Sequence, residues 1–236
     1  MTERYFVESP ISEDRAVLSG SEAYHLTHVM RLGPGDSLTL FDGSGHDFAG
    51  RVEQLGRGEV TVKIQSRQVV SRELALRLTI GVALPKGDRQ RWLVEKLTEL
   101  GVACLAPLVL SRSVAQPGDK ALGRLRRAVI EASKQCGRNR LMEIAAPAAW
   151  SGFLATTADA SSRLLAHAGG QTPASLLVQT ESDGHVCVAI GPEGGFTNEE
   201  IDTGVAAGWR TVDLGARTLR TETAAVLLAG LLSARG

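Results

Sequence analysis

Hydrophobic and polar residues alternate with a period of two through the first 70 residues, in short segments that turn residues separate. Residues 4–8, 37–41, 48–52 and 60–64 have this pattern, and residues 42–45 form the turn sequence Asp-Gly-Ser-Gly. Residues 21–31 instead have helical spacing, with Ser21 as the expected N-cap. The pattern therefore predicts a small β-barrel or curled sheet that one helix interrupts.

Strands and helices alternate from residue 77 onward. The pattern predicts strands at residues 78–84, 102–110, 163–167, 186–190 and 211–214, a short segment at 173–178, and helices at 88–100, 120–134, after Thr197 and at 222–234. Such alternation is typical of an α/β fold with a mainly parallel sheet and helices on both faces. The polar stretch at residues 65–73 is the expected linker, so we expect one domain at 1–72 and another at 73–236.

The composition favours a soluble globular protein. Hydrophobic residues make up 43% of the 236 residues, which is enough for a packed core. No apolar run approaches the roughly 20 residues of a membrane span, and the first residues lack the profile of a signal peptide. We therefore expect a cytoplasmic protein with no membrane contact. Cys104, Cys136 and Cys187 are far apart, which predicts buried thiols and neither a disulfide framework nor a zinc site.

The net charge of zero hides an uneven distribution. Residues 86–140 contain 12 basic and 5 acidic side chains, whereas residues 1–72 contain 8 basic and 10 acidic ones. The basic stretch indicates either a binding surface for a polyanion or an ordinary solvated helix surface.

A glycine-rich loop, Gly-Pro-Glu-Gly-Gly-Phe at residues 191–196, follows the predicted strand at 186–190. Thr197 and Glu200 then form a capping box at the start of a helix. The loop is either a ligand loop at a strand end or a tight connection, because glycine allows both. The NTPase phosphate loop and the dinucleotide fingerprint are absent, which argues against the usual nucleotide sites.

A second loop, at residues 214–224, contains two arginines, Arg217 and Arg220, beside three threonines and Glu222. Thr221 or Thr223 is the expected N-cap of the last helix, and Glu222 complements the helix dipole. Capping does not require two arginines where the dipole is positive, so their presence favours an anionic or electron-rich ligand.

Other polar residues allow more than one interpretation. His25 and His28 have a spacing that a metal could use, but no partner ligand is evident, so packing or contact with a partner is the preferred interpretation. Lys86 and Arg89 follow a strand, where they contact a ligand or simply begin a helix. Arg112 and residues 135–140 place further arginines in loops, where phosphate contacts are common.

Together these motifs resemble the 16S ribosomal RNA uridine N3-methyltransferases of the SPOUT superfamily. The resemblance rests on residues 25–31, 40–43, 86–89, 99–102, 111–114, 131–138, 190–196 and 214–224, in that order along the chain. It implies a PUA-like β-barrel that binds RNA, followed by an α/β domain whose trefoil knot binds S-adenosylmethionine. It also implies a homodimer that acts on 16S ribosomal RNA or the small ribosomal subunit without a metal.

The resemblance also implies roles for individual residues. The cofactor-binding residues would be Ala166, His167, Ile190, Gly191, Pro192, Glu193, Gly194, Gly195, Leu214, Gly215, Leu219, Thr221, Thr223 and Ala224. The RNA-binding residues would be His28, Arg31, Lys86, Arg89, Arg124, Arg127 and Arg138.

The expected catalytic residues are Arg220, Glu222 and Arg112. Arg220, followed by Arg112 or Arg138, would stabilise negative charge on the uracil oxygens. The general base stays open between Glu222, Glu193 and water. Two other functions also stay open: methylation of another RNA site, and RNA binding without catalysis by a ribosome-assembly factor.

Overall fold

The computed structural model describes residues 3–114, 117–173 and 183–234. The chain divides into two compact units. The first unit consists of Met1–Glu73 with Ser133–Leu141, and the second of Leu74–Ala132 with Met142–Gly236. Most of the segment expected at residues 173–178 lies outside the described residues.

The first unit is built on a five-stranded mixed sheet. Its strands are β1 (Arg4–Phe6), β2 (Arg15–Ser19), β3 (Ser37–Phe41), β4 (His46–Leu55) and β5 (Glu59–Val69), in the order β1-β3-β4-β5-β2. β1 and β3 are parallel, and the other pairs are antiparallel. The predicted β structure is confirmed, but the sequence pattern missed β2, a five-residue strand that alternates buried and exposed positions.

One face of this sheet forms the core of the first unit, with Leu18, Leu40 and Val60 at most 1% exposed. The strands alternate because successive side chains point to opposite faces of a sheet. β4 and β5 change register between Ala49 and Gly50. A Cβ atom at Gly50 would lie 2.5 Å from Val62 Cγ1, so the close approach at this bulge requires glycine.

The helical segment of the first unit differs from its prediction. α1 (Gly20–Tyr24) is followed by one π-helical turn (His25–Val29), and its N-cap is Ser19 without a side-chain hydrogen bond. The prediction of a helical segment is therefore confirmed, whereas the expectation of a Ser21 cap is wrong. Ser21 lies inside α1, and the hydrogen bonding changes from the α to the wider π pattern at His25.

The second unit contains a parallel sheet with the strand order β12-β10-β11-β6-β7-β8. Its strands are β6 (Leu76–Val82), β7 (Cys104–Val109), β8 (Glu143–Ile144), β10 (Ser162–Gln171), β11 (Gly184–Ile190) and β12 (Arg210–Val212), and β9 (Ala148–Ala149) pairs with β7 alone. This α/β organisation confirms the prediction of a parallel sheet.

The described helices of the second unit are α2 (Arg89–Glu99), α3 (Asp119–Cys136), α4 (Trp150–Thr156), α5 (Asn198–Ala206) and α6 (Thr221–Ser233), with the last four residues of α3 belonging to the first unit. The sequence pattern did not predict β8, β9 or α4, which are short and give little periodicity. None of the described helices is both long and apolar enough to cross a bilayer.

Aromatic rings hold α4 against the residues around β12. The Trp150 ring centroid lies 5.3 Å from that of Phe196 and 5.5 Å from that of Trp209. Trp150 Nε1 also donates a hydrogen bond of 2.8 Å to the Glu200 carbonyl oxygen. These contacts fix the α5 end of the segment that joins β11 to α5, because Phe196 and Glu200 lie on either side of Thr197, the N-cap of α5.

The three cysteines are free thiols. Cys104 and Cys187 are buried as expected, and burial raises the pKa of the Cys187 thiol to about 12 and that of Cys104 to about 11. Cys136 is only partly buried. The two core thiols are therefore protonated and unreactive at neutral pH.

Gly81 tests the packing of α4 on the central strand β6. A Cβ atom at Gly81 would lie 2.5 Å from Phe153 Cζ, so we expect Gly81→Ala to lower the free energy of unfolding by about 1–3 kcal/mol. Gly123 in α3 has no atom within 4 Å of such a Cβ, so Gly123→Ala should raise that free energy by about 0.5–1 kcal/mol. Urea unfolding measures both, and equal changes in the two variants would contradict this packing.

Candidate functional site

Segments of β10, of the loop after β11 and of the loop after β12 line one cavity of about 370 Å³ in the second unit. The three strands are neighbours in the parallel sheet. The carboxyl ends of adjacent parallel strands meet at one edge, which is the usual position of a ligand crevice. The lining consists of Ala166, His167, Ala168, Ile190, Gly191, Pro192, Glu193, Gly194, Gly195, Phe196, Val212, Asp213, Leu214, Gly215, Ala216, Arg217, Thr218, Leu219, Thr221 and Ala224.

The glycine loop after β11 is a tight turn that the start of α5 anchors. The Gly195 amide donates to the Pro192 carbonyl oxygen at 2.8 Å, and Gly195 has a φ of +68°, which favours glycine. Thr197 and Glu200 form the predicted capping box, with hydrogen bonds in both directions. The capping prediction is confirmed.

Residues after β7 brace the same loop from outside the cavity. Arg112 Nη1 donates to the carbonyl oxygens of Gly194, at 2.7 Å, and Phe196, at 3.3 Å. The Ser111 amide donates to Glu200 Oε1 at 2.8 Å. In this structure Arg112 supports the loop backbone, and the catalytic role expected for it stays a prediction.

Glu200 is buried, at 8% exposure, although it is a carboxylate. Burial opposes its ionisation, but hydrogen bonds from the Ser111 and Thr197 amides outweigh this effect and hold its pKa below the usual value. Glu200 is therefore an ionised link between α5 and the residues after β7.

Asp213 connects the other two lining segments. It accepts hydrogen bonds from the Gly169 amide, at 2.8 Å, and the Gly215 amide, at 2.9 Å, and these bonds lower its pKa. The chain near Gly169 needs such support because β10 bulges between Ala166 and Gln171 in its pairing with β12. Sequence reasoning missed Asp213, although an acid directly after a parallel strand was a usable indication.

The start of α6 differs from its prediction. The N-cap is Arg220, which makes no side-chain capping bond, so the expectation that Thr221 or Thr223 caps this helix is wrong. Thr221 instead donates from Oγ1 to the Gly191 carbonyl oxygen at 3.2 Å and joins α6 to the glycine loop. Arg220 is exposed beside the lining residues Leu219 and Thr221 but is not itself among them.

Arg89, at the start of α2, lies between two carboxylates near the cavity. Its guanidinium is 3.4 Å from Glu193 in the glycine loop and 3.4 Å from Glu222 in α6. Glu222 is 5% exposed, and its Oε2 atom has no hydrogen-bond partner among the described residues. The neighbouring Lys86 is exposed.

The structure brings together every residue expected to bind the cofactor except Thr223, which is exposed and lies off the lining. The lining also contains Ala216, Arg217 and Thr218 of the second loop, and four residues that the prediction left out, namely Ala168, Phe196, Val212 and Asp213. Arg217 is notable among these because it places a guanidinium at the cavity.

The other residues expected to bind RNA lie elsewhere. Arg124 and Arg127 are exposed on α3 and line a separate groove of about 570 Å³ in the second unit. His28 and Arg31 are exposed in the first unit. Arg138 is 3% exposed and donates from Nε to Glu73 at 3.0 Å, so it has a structural role, and its RNA contact stays a prediction. The described residues contain no group of three His, Cys, Asp or Glu side chains that could hold a metal.

Comparison with known sequences places this chain beside methyltransferases. A family model described as an RNA methyltransferase domain matches residues 72–233, and one described as an RNA methyltransferase PUA domain matches residues 18–65. The ribosomal RNA small subunit methyltransferase E of Synechocystis sp. is 32% identical over 217 residues, which cover 91% of this chain and 71% of that relative.

Two solved structures have the same fold along nearly the whole chain. A methyltransferase from Legionella pneumophila, in complex with S-adenosylmethionine, is 33% identical with a TM-score of 0.90, and the match covers 99% of this chain and 98% of that one. A ribosomal RNA small subunit methyltransferase E from Neisseria gonorrhoeae, bound to S-adenosylmethionine, is 26% identical with a TM-score of 0.88 and the same coverage.

The contribution of Glu200 to the stability of the glycine loop can be tested by measuring unfolding at different pH values. At neutral pH we expect Glu200→Gln to lower the free energy of unfolding by about 1 kcal/mol, because the capping box and the Ser111 bond weaken. The pKa of Glu200 is lower in the folded state, so its stabilisation is complete above the unfolded value of about 4.3 and is lost as the pH falls through the folded value.

Glu199→Gln is the matched control because Glu199 is exposed in the same turn. Denaturant unfolding between pH 3 and 7 should give a pH-dependent difference for Glu200→Gln that is much larger than for the control. A difference that grows on acidification would reverse the assigned direction of the pKa shift.

Proposed function

The chain belongs to the family of ribosomal RNA small subunit methyltransferase E, and we propose that it methylates N3 of a uridine in 16S ribosomal RNA with S-adenosylmethionine as the methyl donor. The family resemblance read from the motifs is thereby confirmed. The observation that carries the proposal is the cavity at the ends of β10, β11 and β12, which the loops after β11 and β12 and the bulged part of β10 line.

The cavity suits S-adenosylmethionine in size and chemistry. Its volume of about 370 Å³ falls within the usual range for small-molecule sites. The backbone of the glycine loop and of residues 213–219 supplies amides and carbonyls for the polar edges of the adenosyl group. Arg217 and His167 are the lining side chains that can carry positive charge toward a carboxylate. The bound cofactor supplies an electrophilic methyl group.

The chain must hold a uracil whose N3 has lost its proton and align it with the donor. Loss of this proton places negative charge on the uracil oxygens, which a guanidinium can stabilise. Arg220 is suited to this role because it is exposed at the start of α6, directly beside Leu219 and Thr221 of the lining. Thr221 helps to fix this position through its bond to Gly191.

Two carboxylates remain candidates to accept the N3 proton. Glu193 lines the cavity, whereas Glu222 lies off the lining, and Arg89 pairs with both. The geometry therefore favours Glu193 over Glu222 as a direct acceptor, and it favours Glu222 as the residue that positions Arg89.

The remaining elements of the proposal come from the family resemblance. Residues 1–72 act as a PUA-like RNA-binding domain, and residues 73–236 as a SPOUT methyltransferase domain with a trefoil knot. A cytoplasmic homodimer is the proposed working form.

Methyl transfer from labelled S-adenosylmethionine tests the function directly. The purified protein should label 16S ribosomal RNA or small ribosomal subunits, and mass spectrometry of the digested RNA should find the methyl group on N3 of one uridine. A label at another nucleotide would indicate a different RNA site. Binding of RNA without heat from S-adenosylmethionine in calorimetry would indicate a non-catalytic assembly factor.

Arg220→Ala separates chemistry from cofactor binding. We expect turnover to fall about 100-fold, because one donor to the developing charge is lost, while the Kd for S-adenosylmethionine stays close to that of the parent. Single-turnover methylation and calorimetry provide the two measurements. Unchanged turnover would remove Arg220 from the mechanism.

Thr221→Val tests the bond between α6 and the glycine loop. The Gly191 carbonyl oxygen loses a donor in a buried position, so we expect the Kd for S-adenosylmethionine to rise about threefold to tenfold. Thr223→Val is the matched control because Thr223 lies in the first turn of the same helix but is exposed and does not line the cavity. Equal Kd values for the two variants would show that this bond does not shape the site.

A further inference from the structure

An exposed surface on the first unit combines flat rings with a cation. Tyr24 is 61% exposed and Val29 57%, and His28, Met30 and Arg31 are also exposed. These five residues are termed the Tyr24 surface. Tyr24 and the apolar residues Val29 and Met30 have no evident role in the core of the first unit.

The rings of Tyr24 and His28 form a parallel stack. Their centroids are 4.4 Å apart, and the angle between their planes is 11°. Thr27 Oγ1 donates to the Ala23 carbonyl oxygen at 2.8 Å and lies 2.8 Å from His28 Nδ1. A hydroxyl has one hydrogen, so His28 Nδ1 donates to Thr27, and the orientation of the imidazole is fixed. The stack is therefore a preformed plane.

The backbone around the stack has two unusual features. His25–Val29 is a π-helical turn, closed by a hydrogen bond from the Met30 amide to the His25 carbonyl oxygen at 2.9 Å. Among the described residues, Arg31 is the only residue other than glycine with a positive φ, at 57°. π-helical turns and non-glycine residues with positive φ are found often at functional sites, because these strained backbone conformations persist only where surrounding contacts stabilise them. Here they place the stack and Arg31 on one short segment.

The charge around the stack suits a polyanion. Residues 24–32 contain Arg31 and two histidines but no acidic side chain. The acid nearest in sequence, Glu22, is engaged by Lys134 at 2.8 Å and by the Phe6 amide at 3.2 Å. A flat aromatic pair beside a guanidinium is the combination with which proteins hold unpaired bases of RNA.

We propose that the Tyr24 surface stacks one unpaired RNA base on the Tyr24–His28 pair while Arg31 contacts an adjacent phosphate. This inference rests on the proposed function only in taking RNA as the substrate, and it assigns to Tyr24 a role in binding rather than in methyl transfer. Stacking tolerates any base, so the surface reads the presence of an unpaired base and not its identity.

Fluorescence of 2-aminopurine tests the stack directly. The probe is a 12-nucleotide single-stranded RNA in which 2-aminopurine occupies one position at a time. The parent protein should quench 2-aminopurine at several positions, Tyr24→Phe should retain this quenching, and Tyr24→Ser should lose it and weaken RNA binding about tenfold. Val69→Ser is the control because Val69 is 79% exposed in the same unit, and it should bind like the parent.

Arg31→Gln tests the phosphate contact separately. It should weaken binding and reduce the slope of log K against log salt by about 0.7, whereas Tyr24→Ser should leave that slope unchanged. Thermal unfolding of each variant shows that the first unit has remained folded, and Tyr24→Phe keeps the stack testable if Tyr24→Ser unfolds.

Unchanged quenching and affinity in Tyr24→Ser would overturn the proposal. Weaker binding to assembled small subunits with unchanged binding to RNA would also overturn it, because the surface would then contact a protein. Calorimetry with S-adenosylmethionine is run on the same samples. Weaker RNA binding by Tyr24→Ser, without cofactor binding by the parent, would support this surface and contradict the proposed function. Cofactor binding by the parent, with no effect of Tyr24→Ser on RNA binding, would contradict this surface and leave the proposed function standing.

Discussion

The parallel pairing of β12, β10 and β11 is the constraint on which the rest of the candidate site depends. Neighbouring parallel strands end at the same edge of a sheet, so segments that are far apart in the chain meet there. The cavity is formed from these segments rather than from one continuous motif. β6 and β11 pair in parallel and are buried on both faces through most of their length, which places them in the interior of this sheet.

Polar contacts then hold three irregular segments in place. Asp213 joins the bulge of β10 to the residues after β12, Thr221 joins α6 to the glycine loop, and Arg112 binds two carbonyl oxygens of that loop. Each contact satisfies backbone groups that regular structure leaves unpaired. The site is therefore shaped before a ligand arrives, which reduces the conformational cost of binding.

The arginines of the chain illustrate how the same side chain takes different roles. Arg138 is buried against Glu73, Arg112 supports a loop, and Arg89 lies between two carboxylates. Arg220 and Arg31 are exposed, and they carry the proposals about uracil and phosphate. Burial and available partners thus separate structural arginines from those that remain free to meet an anionic substrate.

The sequence by itself determined the α/β class, the parallel sheet, the capping box at Thr197 and the two loops of the cavity, because period, turn residues and motif spacing are local properties. It did not determine the cap of α6, the hydrogen bonds that Asp213 accepts, the burial of Arg138 or the stack of Tyr24 on His28. These depend on which distant segments meet and on how the backbone turns between residues 25 and 29. Only the tertiary structure decides such contacts, since local propensity contains no information about the partner of a polar side chain.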